Sequence, residues 1–251
     1  VKHGAPEQIL YDNKPHIGTD ILVDVVKNIR ASIERAGGEV RFHTKVSAVN
    51  FEEKDGEKTL VSLEIQDTHT NEISVIPTEL AVLAIGHSAR DTFHMLHEKE
   101  IPMEAKSFAV GVRAEHLQTM IDESQYGRNR KDSLPAAAYK LTAKLENGRG
   151  VYTFCMCPGG YVVNASSEEG RIAINGMSYS GRDGKNANSA VIVTVTPEDF
   201  GTEDVLSGVA FQQKLEEAAY HAGNGKIPVQ LFGDFCKNRA SSGAGATLPQ
   251  I

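Results

Sequence analysis

The chain has 251 residues, 40% of them hydrophobic and 24% charged, and a formal net charge of -7. That profile is of a folded globular protein with room for one large domain or two modest ones, and it argues against a disordered chain. The negative balance argues against nucleic acid and anionic membrane as main partners, and no apolar run approaches the roughly 20 residues of a membrane span. An odd set of cysteines, Cys155, Cys157 and Cys236, points to a reducing, cytoplasmic setting rather than a disulfide framework.

Residues 1–18 are polar and turn-rich. Thr19 is placed to cap a helix. Ile21, Val25, Ile29 and Ile33, with Leu22 and Val26 beside them, repeat at helical spacing and predict an amphipathic helix over 20–36. Gly37 and Gly38 stop it. Val40, Phe42, Thr44 and Val46 alternate, which predicts a strand over 39–46 and completes half of a crossover unit. Short alternating runs between 47 and 79, parted by Asp55-Gly56 and Thr70-Asn71, predict a small antiparallel meander. The segment LAVLAIGHSARD at 80–91 then reads as a buried strand over 80–85, a Gly-led turn and a helix over 89–98, with Ser88 and Asp91 at capping-box spacing. A strand, turn and helix of this kind is how open α/β sheets present backbone groups to a ligand.

From Ile101 onward the pattern becomes β-rich. Strands are expected at 108–113, 139–145, 150–154, 161–164, 171–175 and 190–195, with a short helix around Leu117, Met120 and Ile121. A longer helix over 208–222 turns Phe211, Leu215, Ala218 and Ala222 inward and closes at Gly223. The fold class expected is α/β in the first part and α+β overall: a partial Rossmann-like unit with a β-meander over 1–100, and a β-rich domain over 101–240. Residues 241–251 have the composition of a linker or tail. The chain opens on Val1 and closes on this small-residue run, so it is expected to be an interior piece of a longer polypeptide.

Several groups carry candidate chemistry. Gly86 permits close backbone approach to a ligand, and Arg90 is either a planar fork for a phosphate or a solvated turn residue. Cys155 and Cys157 form a C-x-C pair that alternation places on one face of a strand, read either as redox thiols or as small apolar residues at a strand end. No zinc-like spacing accompanies them. His16, in a loop beside a helix start, and His87, in the Gly86 turn, are candidate polar groups facing a substrate or cofactor. His94 and His97 share a helix without the carboxylate–histidine set that a metal would need. Arg113 is either an anchor for an anionic substrate or a strand-end charge. The polar loop 178–189 is long enough to reach into a cleft. The basic run at 128–131 reads as a solvated loop.

KPHIGTD at 14–20, VLAIGHSARD at 82–91, FAVGVR at 108–113, YTFCMCPGGY at 152–161 and NGMSY at 175–179 occur in this order. Together, over roughly residues 1–240, they resemble a bacterial family of FAD-dependent dehydrogenases, predicted flavoproteins of the glutathione-reductase-like FAD superfamily. The resemblance implies FAD as cofactor, a partial FAD domain over 1–100 and a substrate domain over 101–240. It implies Val46 near the adenine and Ala84, Ile85 and Gly86 near the pyrophosphate and ribose, with His87 and Arg90 in the same turn. Read from the residues, the Gly159-Gly160 turn is expected against the isoalloxazine, where small residues would leave room, and His16, Cys155 and Cys157 are the catalytic candidates. The activity implied is hydride transfer through flavin, with a small-molecule substrate and NAD(P)H or another electron donor as partners. Members of that family also carry an amino-terminal G-x-G-x-x-G and a carboxy-terminal Gly-rich segment. Here no G-x-G-x-x-G follows a strand, and SGAG at 242–245 reads as linker, so weak or absent FAD binding by this stretch is expected. Sheet edges and apolar surface left without partners would favour a homo-oligomer or aggregation. The rival reading is a non-catalytic ligand- or partner-binding module.

Overall fold

The structure, a computed structural model, describes residues 1–129, 133–243, 245 and 249. It is an α+β fold in which helices flank three antiparallel sheets. After a short 3-10 turn at Glu7–Leu10, helix α1 spans Thr19–Arg35. Its cap is Gly18 at φ 93, so Thr19 lies inside the helix and its hydroxyl is directed elsewhere. The end is as expected: Gly37 takes φ 87, and the amides of Gly38 and Gly37 bond the carbonyls of Ile33 and Glu34 at 3.0 and 3.1 Å. These are the two reversed bonds of a Schellman cap. The apolar face is real but mostly open. Only Val25 is buried, while Leu22, Val26, Ile29 and Ile33 are exposed.

Strands β1 (Thr44–Lys54), β2 (Glu57–Asp67) and β3 (Ile73–Pro77) form the expected meander in sequential order, all antiparallel. Asp55 and Gly56 both take positive φ, 55 and 82, which matches the right-handed twist of a two-residue hairpin. Val49 and Ile65 are buried. Two expectations need correction. The strand placed at 39–46 begins at Thr44 and continues to Lys54, and it pairs antiparallel with β2 instead of closing a parallel crossover. Residues 80–85 run outside every sheet, with Leu80 and Val82 82% and 85% exposed. An apolar run predicts a buried strand only where another strand satisfies its backbone, and none does among the described residues.

Helix α2 (Arg90–Glu98) follows without the expected capping box, since its cap is Ala89 with no side-chain bond. Asp91 instead accepts the Thr92 amide at 2.8 Å and pairs with Lys45 at 2.6 Å, tying α2 to β1.

The second half contains β4 (Phe108–Leu117), α3 (Gln118–Tyr126), β5 (Thr142–Lys144), β6 (Gly150–Cys157), β7 (Tyr161–Asn164), β8 (Ile174–Met177) and β9 (Asn186–Val195). Helices α4 (Pro197–Phe200), α5 (Ser207–Ala222) and α6 (Phe232–Phe235) complete it. The larger sheet has the order β4-β9-β6-β5, and β7-β8 is a separate hairpin. Five strands differ from expectation. β4 runs on to Leu117, β5 keeps only three residues of 139–145, β6 runs on to Cys157, β8 shifts downstream of 171–175, and β9 begins four residues before Ala190. α4 carries a full capping box, Thr196 with Asp199. Phe108 packs against Phe200 and Phe211 at 5.1 and 6.3 Å between ring centres, joining β4, α4 and α5. Of the residues expected inward on α5, Leu215, Ala218 and Ala222 are exposed and Phe211 is half-buried.

The accessible surface is 17373 Å², against about 10,900 Å² for a compact monomer of this mass. Exposed apolar side chains on α1 and along 80–85 contribute to the excess. Among the described residues no helix is long and apolar enough to cross a membrane.

Candidate functional site

Three of the motif segments meet in space. Gly18 is pressed against the turn after β8: a Cβ there would lie 2.4 Å from the Ser180 nitrogen. Asp20 accepts the Ser180 amide at 2.8 Å and its hydroxyl at 2.6 Å, and these bonds hold its carboxyl below the usual range. The Thr19 amide donates to the Ser178 carbonyl at 3.2 Å, and the Thr19 hydroxyl to Met177 Sδ at 3.2 Å. His16 Nε2 lies 3.2 Å from the Tyr179 carbonyl oxygen. So the loop at 14–20 is seated on the segment 177–180.

That segment in turn is fastened to the Pro158-Gly159-Gly160 turn. Ser178 Oγ donates to the Pro158 carbonyl at 2.8 Å, the Gly184 amide to the Gly159 carbonyl at 3.1 Å, and the Gly159 amide to Gln118 Oε1 at 2.8 Å. The expectation that Gly159 and Gly160 leave room for a flavin ring is corrected. A Cβ on Gly159 would sit 2.0 Å from the Arg182 carbonyl oxygen, and one on Gly160 2.5 Å from that of Met177. The missing side chains make space for neighbouring backbone, not for a ligand.

The two thiols do not share a face. Cys155 adopts φ 49 inside a bulge where β6 slips register against β9 between Phe154 and Cys157. The extra residue breaks alternation, leaving Cys155 exposed and Cys157 buried, both as free thiols. Burial pushes the Cys157 thiol up, opposed by the nearby Arg113 charge. Burial and a raised pKa make Cys157 a poor nucleophile.

Behind this turn lies a polar interior that the sequence reading missed. Arg113 is not a strand-end residue but sits within β4. Its Nη1 donates to Asn188 Oδ1 and, at 3.2 Å, to the Cys155 carbonyl. Asn186, Asn188 and Ser189, at the start of β9, are fully buried. Asn186 donates to Glu115 at 2.8 Å. His116 Nε2 lies 2.8 Å from the Tyr139 hydroxyl, and burial pushes that phenol above its usual value. Gln118 Nε2 and the Ala137 amide both donate to the buried Asp122 at 2.8 Å. An available signal was the NANS run itself: its asparagines stand two apart, on one face of any strand that includes them.

The other expected residues gather elsewhere. Val46, Leu63, Val82, Leu83 and Ile85 wall a largely apolar pocket of about 380 Å³. Ala84, Gly86 and His87 are exposed, and Gly86, at φ 72, has open space where a Cβ would be. Arg90 is turned into the interior. It is 7% exposed, and its fork is committed to Glu216 at 2.7 and 2.8 Å, to Glu168, and to Gln212 at 3.1 Å. This corrects its expected role: the planar donor edge holds carboxylates of the second half. No group of three metal-ligating side chains occurs among the described residues, which leaves His94 and His97 without one. Arg130 and Lys131 of the basic run, and Ala244 of SGAG, lie outside the described residues.

Residues 107–251 match the family model described as "FAD-dependent protein, C-terminal domain-like", and the chain belongs to that family. The chain is also similar to an uncharacterized protein of Clostridium beijerinckii, 50% identical over 253 residues, which is 99% of this chain and 46% of the relative. It thus spans about half the length of the curated relative it matches.

Proposed function

We propose that this chain contributes the substrate side and part of the nucleotide side of an FAD-dependent oxidoreductase that moves a hydride between flavin and a small molecule. The observation that carries the reading is the convergence of 14–20, 155–160 and 177–184 on one packed junction, in a chain of an FAD-dependent family. Such a junction holds His16 and the exposed Cys155 on elements braced from several sides, which is how a site keeps reacting groups in place.

The residues present fit FAD in part. The apolar pocket beside Val46 and Ile85 suits an adenosine moiety, and the open Gly86 turn permits close approach. Donors for a diphosphate are scarce there, because Lys45 is paired with Asp91 and Arg90 with Glu216 and Glu168. Bound flavin would supply the hydride chemistry. This chain's own residues would orient the substrate and exclude water. The protein purified from its natural source should carry the visible flavin absorption bands. The 251-residue chain alone should show at most a weak thermal shift with FAD or ADP, abolished by Val46→Trp, which fills the pocket. A colourless native protein that holds a different ligand would overturn the reading in favour of a binding module.

A further inference from the structure

We propose that Arg113 is the anchor of a carboxylate-binding site that opens beside the Cys155 thiol. The proposal rests on the reading above only in calling the carboxylate a substrate; the binding itself requires no flavin.

Arg90, Arg149 and Arg171, also half-buried or buried, each have a carboxylate within 2.8 Å, whereas Arg182 has no ion pair among the described residues. Arg113 has none among the described residues. Its partners are neutral: Asn188 Oδ1, the Cys155 carbonyl and, at 3.5 Å, Asn175 Oδ1, with the buried Cys157 thiol beside it. A half-buried guanidinium held only by neutral acceptors keeps an uncompensated charge, and that is costly unless an anion visits.

The geometry selects the anion. Nη1 is occupied on the inner side, which leaves the edge formed by Nε and Nη2. Nε has no acceptor among the described residues, and the Nη2 contact to Asn175 is long and lies at the surface. Two parallel N–H groups on that edge match a planar carboxylate side-on. The head group cannot swing away. Gly176 backs it so closely that a Cβ there would lie 2.2 Å from Nη1 and 2.3 Å from Asn188 Oδ1. Asn188 itself is 0% exposed, and its Nδ2 has no partner, a second donor without an acceptor beside the same guanidinium. Cys155, whose carbonyl touches Nη1, is exposed and held at φ 49. A carboxylate on Arg113 would therefore lie close to the residue that carries this exposed thiol.

The test uses two alkylating reagents of similar size, iodoacetate and iodoacetamide, on the 251-residue chain, with each site followed by peptide mass. In both reactions the thiolate displaces iodide. Cys236, also exposed, is the internal reference. The rate ratio of iodoacetate to iodoacetamide should be about fivefold higher at Cys155 than at Cys236, as one nearby uncompensated charge allows. Arg113→Gln should bring the Cys155 ratio down to that of Cys236 while leaving Cys236 unchanged, and Arg113→Lys should keep part of the preference. Acetate should slow iodoacetate at Cys155 more than chloride does at equal ionic strength. Equal ratios at the two cysteines, or a Cys155 that neither reagent reaches in the folded chain, would overturn the site. A native protein with flavin bands but no such preference would remove the substrate class and leave the proposed enzyme standing. The preference without flavin would do the reverse.

Discussion

Replacing Arg90 by methionine keeps the length of the side chain and deletes the charge that joins the two halves of the chain. In the native protein this guanidinium donates to Glu216 at 2.7 and 2.8 Å, to Gln212 at 3.1 Å and to Glu168, with only 7% of the residue exposed. Removing one partner of a buried ion pair costs about 3–5 kcal/mol, because the other charge stays behind unpaired. Glu168 keeps Arg171 at 2.8 Å, and its side chain is 27% exposed, so part of the loss is recovered. The lower end, about 3 kcal/mol, is expected. For a chain of this size each kcal/mol moves the midpoint by roughly 2–4 °C, which gives roughly 6–12 °C in a thermal melt. The gap should also depend on pH. Burial pushes the Glu168 carboxyl up, but hydrogen bonds from Arg90 and Arg171 outweigh it and hold the group below its ordinary 4.5. A carboxyl lowered in the folded state stabilises above its unfolded pKa, and that stability is lost as pH falls through the folded value. Wild type and variant should therefore differ fully at neutral pH and converge below 4.5. A variant within about 1 kcal/mol of wild type at pH 7, or a gap that widens in acid, would refute the view of Arg90 as an interior clamp.

Gly159→Ala should destabilise the chain by about 2–4 kcal/mol in urea titration, because the new methyl meets the Arg182 carbonyl at 2.0 Å on a residue held at φ 50. Asp199, held down to about 2 by hydrogen bonds from Arg149 and the Thr196 amide, should titrate near that value by carbon NMR and move toward 3.8 in Arg149→Gln. In wild type its stabilising effect is full above pH 3.8 and is lost as pH falls through about 2. The open apolar face of α1 should drive self-association that grows with concentration, and Val26→Lys with Ile29→Lys should return the mass seen by light scattering toward 27.2 kDa. A wild-type chain that stays monomeric across a wide concentration range would remove that expectation.

What could be read from the chain follows from how local each signal is. Helix α1, its Gly37 stop, the three-strand meander and α5 rest on periodicity and turn residues within a few positions, and each appears where those patterns put it. Residues 80–85 failed because apolar character reports a preference for burial but not the neighbour that provides it. The capping box at Ser88 failed because Lys45, more than forty positions away, competes for Asp91. At the site, the motifs around 16, 155 and 177 were visible as segments, yet their meeting depends on long-range packing that no spacing encodes. Cys155 turned over because a left-handed residue shifts register by one, which alternation cannot foresee. Asn186 and Asn188 were passed over because polar residues suggest a loop until a sheet closes over them.

The clasp between Asp20 and Ser180 joins positions 160 apart in the chain. During synthesis the first turn of α1 would leave the ribosome long before the segment it grips exists, and contacts of such separation form late. The helix can coil early, but its heading in the finished molecule is decided only after Ser180 has emerged. Mutations at Gly18 or Asp20 should thus leave the early stages of folding untouched and slow the last one.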